Sequence, residues 1–168
     1  MKKAIILIVV ILTLLVVGLS GCLNGEGTGM LIIQITDAPP ELEITKALIN
    51  ISSIEVHLIA TGWYTVVSEK QTFDLIQLKN AKKILGNKTL PVGHYTQIRF
   101  HIDDASVTID GIEHKLKIPS NTIQIISPFP INNNETTTLT IDIDVQESVH
   151  KTGNGKYMMN PTIKIIEE

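Results

Sequence analysis

Two hydrophobic patterns divide this chain. Residues 4–19 form an apolar run that only Thr13 and Gly18 interrupt, and Lys2 and Lys3 precede it. From Met30 onward apolar and polar residues alternate, which is the periodicity of a β-strand with one buried face. The pattern therefore predicts an N-terminal hydrophobic signal helix followed by one domain built of strands over residues 30–168.

The alternating part predicts several strands, and three of them are clear, over residues 30–36, 94–103 and 136–145. Their predicted inward residues are Leu31, Ile33, Ile35, Ile98, Phe100, Ile102, Leu139, Ile141, Ile143 and Val145. Residues 47–59 change phase at Ser52-Ser53, where the apolar residues move from odd to even positions. A β-bulge or a crossover between two sheets would restore the register there.

One segment departs from the alternation. After Asp74, which can cap a helix, apolar residues recur at helical spacing as far as Gly86, and this predicts three helical turns over residues 74–86. Asp110-Gly111 predicts a tight hairpin between strands over 106–109 and 112–118, and a last strand is expected over 157–166. With turns about every ten residues, the whole pattern indicates an all-β fold, an antiparallel β-sandwich with one short helix.

The end of the apolar run carries the only cysteine of the chain, in Leu19-Ser20-Gly21-Cys22. This tetrapeptide resembles the lipobox of prokaryotic lipoproteins. The resemblance implies cleavage between Gly21 and Cys22 and a diacylglyceryl group on the Cys22 thiol, and two acyl chains hold a protein durably on a membrane. Residues 1–21 are then a lipoprotein signal peptide and residues 22–29 a glycine-rich tether.

An uncleaved N-terminal helix is the alternative to the lipobox, because residues 4–19 are only slightly short for a membrane span. Cys22 would then be an ordinary residue at the membrane surface. The lysines ahead of the run keep the N-terminus cytoplasmic in both cases. Both interpretations therefore place the domain on the extracytoplasmic face of the cell membrane.

Charge and composition narrow the classes of function. Without Lys2 and Lys3 the chain has 12 Lys and Arg residues against 17 Asp and Glu residues, a net charge of −5, and Arg99 is its only arginine. An acidic chain of this kind is a poor nucleic-acid binder. With Cys22 used as the anchor, no disulfide stabilises the domain.

The candidate metal ligands are five aspartates, on one strand or at strand ends, whose carboxylates would suit Ca²⁺: Asp37, Asp103, Asp104, Asp142 and Asp144. Their spacing matches no calcium loop, and the favoured interpretation is that they are solvated faces and turn residues. The histidines lack the spacing of a zinc pair, and no nucleophile elbow occurs. The sequence therefore predicts no catalytic residue and no cofactor.

Two kinds of surface site remain open. Glycosylation sequons occur at Asn50, Asn87 and Asn134, and the last two lie in predicted loops. Trp63-Tyr64 and Tyr157 would suit a carbohydrate-binding platform, although packing roles in the sheets are favoured for them.

Several motifs, in order, resemble domain-of-unknown-function family 4382, found in archaeal and bacterial envelope proteins. They are Ile35-Thr36-Asp37-Ala38-Pro39, Ile54-Glu55-Val56-His57, Leu90-Pro91-Val92-Gly93-His94-Tyr95-Thr96-Gln97-Ile98-Arg99, Asp103-Asp104-Ala105, Lys117-Ile118-Pro119-Ser120, Ile141-Asp142-Ile143-Asp144 and Gly153-Asn154-Gly155-Lys156-Tyr157-Met158-Met159-Asn160-Pro161. The Pro-x-Gly-x-Tyr segment is also similar to transthyretin-like and immunoglobulin-like domains. The resemblance implies an exported β-sandwich and brings no activity or catalytic residue.

These observations favour a lipid-anchored extracytoplasmic domain that acts as a non-catalytic binding or structural module in the cell envelope. Its expected partners are the membrane, through Cys22, and an unidentified envelope protein or glycan. The alternative is an envelope enzyme, a hydrolase, or a calcium-binding domain that uses the aspartates.

Overall fold

The structure is a computed structural model that describes residues 27–36, 44–78 and 81–168. The predicted signal peptide, Cys22 and Asp37 lie outside the described residues. The described strands are β1 (Thr28–Thr36), β2 (Ile44–Leu58), β3 (Gly62–Val67), β4 (Gln71–Asp74), β5 (Lys83–Pro91), β6 (Gly93–Ile109), β7 (Ile112–Lys117), β8 (Thr122–Ile131), β9 (Thr136–Asp144), β10 (Val149–Lys151), β11 (Tyr157–Met159) and β12 (Thr162–Glu167). A 3₁₀ turn (Leu75–Leu78) and a single helical turn α1 (Val145–Ser148) complete them.

The strands form two sheets that pack on one hydrophobic core. The smaller sheet has the order β12-β9-β1-β5, and the larger has the order β10-β11-β7-β6-β2-β3, with β4 paired to β2 and β8 paired to β6. Buried side chains from both sheets, such as Ile33 and Ile141 from one and Val56 and Ile98 from the other, belong to the same core. The predicted all-β sandwich is confirmed.

Two strand pairs are parallel, β1 with β9 and β11 with β7, whereas the sequence predicts an antiparallel arrangement throughout. Hairpins impose antiparallel pairing only on strands that follow each other closely. In both parallel pairs the partners are far apart in the chain, so no hairpin sets their direction.

The alternation predicts the inward faces correctly. Leu31, Ile33 and Ile35 of β1 are fully buried, as their spacing indicates. In β2 the buried positions change from Ile49 and Ile51 to Ile54, and the register with β6 shifts on both sides of Ile51. The predicted phase change is therefore a bulged strand that stays in one sheet.

β6 is the longest of the described strands, and it includes two segments that the sequence analysis predicts as separate strands. Residues 94–103 and 106–109 both lie in it, because Ala105 and Val107 are buried and keep their pairing with β2. The hairpin that follows is confirmed. Asp110 and Gly111 have φ angles of 52° and 76°, as a type I′ turn requires.

The helix predicted over residues 74–86 is wrong beyond its first turn. The 3₁₀ turn buries Leu75 and Leu78, whereas Leu85 is buried in β5. β5 pairs along β1 and completes the smaller sheet. These leucines have helical spacing although they do not share a helix. The 3₁₀ turn and β5 each place their leucines in the same hydrophobic core. Residues 79–80 lie outside the described part of the chain.

The single strand predicted over residues 157–166 is also wrong. β11 belongs to the larger sheet and β12 to the smaller one, and Asn160-Pro161 lies between them. Proline has no backbone N–H to donate to a sheet. The break at Pro161 lets the chain cross from one layer to the other.

The Pro-x-Gly-x-Tyr segment forms a corner between β5 and β6 in which Tyr95 is fully buried. The Tyr95 hydroxyl donates a hydrogen bond to the Pro91 carbonyl oxygen at 3.0 Å, and its ring stacks on Phe129 at a centroid distance of 5.3 Å. Burial raises the pKa of Tyr95 to about 12. Gly93 has a φ of 146°, and a Cβ there would lie 2.8 Å from Leu58 Cδ1, so the corner needs glycine.

Candidate functional site

The described aspartates that the sequence offers as weak metal-ligand candidates lie in two different sheets. Asp103 and Asp104 lie on β6 of the larger sheet, whereas Asp142 and Asp144 lie on β9 of the smaller sheet. No group of three or more His, Cys, Asp or Glu residues with metal-binding geometry exists within residues 27–36, 44–78 and 81–168. Asp37, the fifth candidate, lies outside those ranges.

Each of these carboxylates except Asp142 has a structural partner. The Lys70 ammonium lies 3.0 Å from Asp103 and 3.5 Å from Asp104. The hydrogen bond from Lys70, and a second one from Ser52, hold the pKa of Asp103 below its usual value. Asp144 caps α1 by accepting a hydrogen bond from the Glu147 amide at 2.9 Å. Asp142 pairs across the sheet with positions 36 and 164.

The sequons differ in their exposure. Asn50 is half-buried on β2 and hydrogen-bonds to Asp104 and Thr72. Asn87 is exposed on β5, and Asn134 is exposed in the turn before β9 with a φ of 59°. The side chains of Asn87 and Asn134 are therefore accessible to a glycosylating enzyme, whereas Asn50 packs between strands.

Neighbouring side chains occupy the Trp63-Tyr64 part of the candidate aromatic platform, whereas Tyr157 lies elsewhere, on β11. The Arg99 guanidinium lies 3.8 Å from the centroid of the Trp63 ring, and the His57 ring packs edge-on at 4.9 Å. Tyr64 packs edge-on against the buried Tyr95 at 6.3 Å. One face of the only tryptophan is thus covered by a cation, so it does not offer an open stacking surface there.

Arg99 belongs to a polar network on the outer face of the larger sheet. Glu55 accepts contacts from Arg99 at 3.6 Å and from His101 at 3.3 Å. Arg99 also donates to Gln124 at 3.4 Å, and Gln124 donates to Gln97. These side chains contact one another across three adjacent strands, although the Arg99 Nε atom is buried without a hydrogen-bond partner among the described residues.

A cleft on the same sheet has a different character. It lies between β7 and the hairpin that joins β10 to β11, and its volume is about 430 Å³. Its cationic lining consists of Lys115, Lys117 and Lys156, and its aromatic lining of His114 and Tyr157. We refer to it as the lysine cleft.

The cleft exists because β7 is paired on this side over only two positions. Leu116 and Lys117 pair with the start of β11, so the edge of β7 from Ile112 to Lys115 faces the hairpin loop. The loop is held by Thr152, whose amide and hydroxyl both donate to the Lys156 carbonyl oxygen, at 2.7 and 2.8 Å. A wall of fixed shape therefore lies opposite an open strand edge.

Positive charge exceeds negative charge in the lining of the lysine cleft, where three lysines face one carboxylate, Glu113. The salt bridges of the described residues use Lys70, Lys82, Arg99 and His101, so the three cleft lysines have no carboxylate partner in that part of the chain. Glu113, the one acidic residue in the lining, accepts a hydrogen bond from Ser106 at 2.8 Å. The spacing of Lys115 and Lys117 was the available sequence signal, because it places both on the outward face of one strand.

Fold and surface together define an all-β, two-sheet domain with a polar sheet face and a cationic cleft. The chain belongs to the DUF4382 family, a domain of unknown function whose profile matches residues 28–161, and the resemblance seen in the motifs is confirmed. No curated protein shows a significant match to the chain.

One solved structure similar to this chain is a crystal structure from Bacteroides ovatus, described as that of a candidate cell adhesion protein. The two chains are 9% identical with a TM-score of 0.25, and the match covers 83% of this chain and 44% of that one. The chain therefore spans less than half the length of that protein, and a similarity of this size carries no functional argument. Among the described residues no helix is both long and apolar enough to cross a bilayer.

Proposed function

We propose that this protein is a lipid-anchored module on the extracytoplasmic face of the cell membrane, which presents a binding surface away from that membrane and performs no catalysis. The anchor is the diacylglyceryl group on Cys22 that the Leu19-Ser20-Gly21-Cys22 motif implies. The body is the two-sheet domain that begins at Thr28.

The orientation of β6 relative to the start of the domain is the observation that carries this proposal. Thr28 pairs with Pro91, and the Val92 amide donates to the Gly27 carbonyl oxygen at 2.9 Å, so the chain enters beside the start of β6. From Gly93, β6 runs 17 residues to Ile109, which corresponds to about 50 Å at the usual rise of a strand. The Asp110-Gly111 hairpin thus lies at the end opposite the entry point.

The distance between the anchor and the domain is short. Residues 23–27 separate Cys22 from β1 and span at most about 20 Å. An anchored domain therefore stays close to the bilayer at its entry end and directs the hairpin end outward. This arrangement supports a display function, in which the far end meets other components of the envelope.

The distribution of ionisable groups supports binding over catalysis. Glu55 and His101 are engaged with each other and with Arg99 on the sheet face, and Asp103 and Asp144 hold structural partners. General acid–base chemistry needs such groups directed at a shared substrate position. The carboxylates of Glu55, Asp103 and Asp144 are instead engaged with neighbouring groups of the protein.

The anchor is tested with the full-length protein expressed in a lipoprotein-processing host supplied with a labelled fatty acid. The wild type and a Ser20→Ala control, which keeps a small residue before the cleavage site, should incorporate label and sediment with membranes. Cys22→Ser should lose the label and retain the unprocessed length. Equal labelling and migration of Cys22→Ser and wild type would refute lipidation, and an unprocessed wild-type protein in the cytosol would refute the whole proposal.

A further inference from the structure

We propose that the lysine cleft binds an anionic saccharide, a sugar that carries carboxylate, sulfate or phosphate groups. This inference deepens the proposed function by naming the ligand class of the displayed surface. Charge, shape and position each contribute one step.

The positive charge of the cleft lysines favours an anionic ligand. Lys115 and Lys117 are two residues apart on the outward face of β7, roughly 7 Å at the usual rise of a strand, and Lys156 approaches from the hairpin. The separation of Lys115 and Lys117 is within the ~8 Å Debye length of physiological salt, so their positive potentials add, and the three lysines outnumber the one acidic residue of the lining, Glu113. In a chain whose net charge is −3, such a local cationic site attracts anions against the overall charge.

The volume and the lining of the cleft favour a sugar over a small inorganic ion. The cleft volume of about 430 Å³ lies within the roughly 300–1,000 Å³ of small-molecule sites. The rings of His114 and Tyr157, with centroids 4.7 Å apart, line part of the cleft. Tyr157 also packs against the core, and Lys151 lies over its ring at 6.0 Å, so only the remaining exposed parts of the two rings offer a sugar an apolar surface to contact. The unpaired edge of β7 supplies backbone donors and acceptors for hydroxyl groups.

Position separates this ligand from the lipids of the anchoring membrane. β7 pairs with residues 106–109 of β6, about 40 Å along the strand from Gly93 and the entry end. That separation is several Debye lengths. The electrostatic attraction between the lipid headgroups beneath an anchored domain and the cleft lysines is therefore weak. This step alone rests on the proposed function, because the charge and shape of the cleft do not depend on the anchor.

The test measures binding by calorimetry to the full-length protein in phosphatidylcholine nanodiscs at low salt. The probes are tetragalacturonate, which carries carboxylates, a heparin tetrasaccharide, which carries sulfates, and neutral maltotetraose. Wild-type protein should bind at least one anionic probe and bind maltotetraose at least tenfold more weakly. Inorganic phosphate should compete with the anionic probe, since the lysines recognise the anion first.

Matched variants locate the site. Lys115→Gln with Lys117→Gln should weaken binding of the anionic probe at least tenfold, and Lys156→Glu should do the same by bringing a negative charge into the cleft. Lys46→Gln with Lys164→Gln makes the same change in net charge at two exposed positions outside the cleft, and it should alter affinity less than twofold. Near-UV circular dichroism confirms that each variant keeps its tertiary packing.

Three results would overturn the inference: no binding of either anionic probe, equal binding of the neutral sugar, or equal weakening by the cleft and control pairs. Binding to added phosphatidylglycerol vesicles with no binding of either saccharide would also overturn it, because the source would then be lipid. Saccharide binding that persists although Cys22 proves unlipidated would refute the anchor and leave the cleft intact.

Discussion

Replacing Tyr95 by phenylalanine removes a single oxygen atom from the corner between β5 and β6. The side chain is fully buried, and its hydroxyl donates to the carbonyl oxygen of Pro91. The ring remains, so its stacking on Phe129 is kept in the variant. The substitution therefore isolates the hydrogen bond that closes the turn from β5 to β6.

The expected loss follows from that geometry. A hydrogen bond of this kind contributes about 1 kcal/mol net, and a buried carbonyl group left without a partner costs about 1–3 kcal/mol. Because Pro91 is only partly buried, water can reach part of the freed carbonyl group. We expect Tyr95→Phe to lower the free energy of unfolding by about 1–2 kcal/mol, which corresponds to a fall in Tm of about 3–8 °C for a domain of this size.

The same hydroxyl also links stability to alkaline pH. Burial raises the pKa of Tyr95 from its ordinary 10.0 to about 12, so the folded state favours the neutral form. This contribution is fully present below pH 10 and is lost as the pH rises towards 12. The wild type should therefore lose more stability than Tyr95→Phe between pH 10 and 12, since the variant has no group to ionise there.

Urea unfolding followed by circular dichroism, at pH 7 and at steps from pH 9.5 to 12, measures both effects. Tyr157→Phe is the matched control, because Tyr157 is half-buried and its hydroxyl has no hydrogen-bond partner among the described residues; its stability should change by less than about 0.5 kcal/mol. A Tyr95→Phe variant as stable as wild type at pH 7, or one with an unchanged alkaline profile, would refute the account of the corner.

Three further predictions concern single positions. Gly93→Ala should destabilise the domain by about 1–3 kcal/mol because its φ of 146° suits only glycine, whereas Gly153→Ala, where a Cβ meets open space, should be nearly neutral; equal Tm values would contradict this. Lys70→Gln should raise the pKa of Asp103 towards its usual 3.8, which carboxyl NMR titration measures, and an unchanged value would disprove the pairing. Arg99→Lys should uncover the ring of the only tryptophan and shift its fluorescence to the red, and an identical emission maximum would argue against the stack.

The inward faces of the strands are predictable from the sequence because burial depends on local alternation. In β2 even the phase change is visible, since the apolar residues move from Ile51 to Ile54 and the structure accommodates the change with a bulge. The hairpin at Asp110-Gly111 is predictable for a related reason, because few residue pairs adopt two positive φ angles. Short-range rules suffice for both.

Segments whose burial comes from distant partners are not predictable in this way. The spacing of Leu75, Leu78 and Leu85 fits a helix, yet Leu85 is buried because β5 pairs with β1, some fifty positions earlier in the chain. The last predicted strand fails for the same reason, since β11 and β12 pair with different sheets. Sequence periodicity indicates that a residue is buried but not which layer buries it.

The lysine cleft shows the same limit for a site. Lys115 and Lys117 share a visible spacing, but Lys156 joins them only because β11 pairs in parallel with β7. The aspartates considered as an alternative calcium site illustrate the same limit, because Asp103 and Asp142 belong to different sheets. Charges cluster according to long-range pairing, which no local pattern in the chain encodes.

The central position of β1 in its sheet has a mechanical consequence. β1 lies between β5 and β9, and Thr28 is its first residue. A pull on the chain from that end is resisted by two ladders of hydrogen bonds in shear, which must yield together. A strand at the edge of a sheet would instead detach one bond at a time. The domain is therefore suited to withstand tension delivered through its N-terminus.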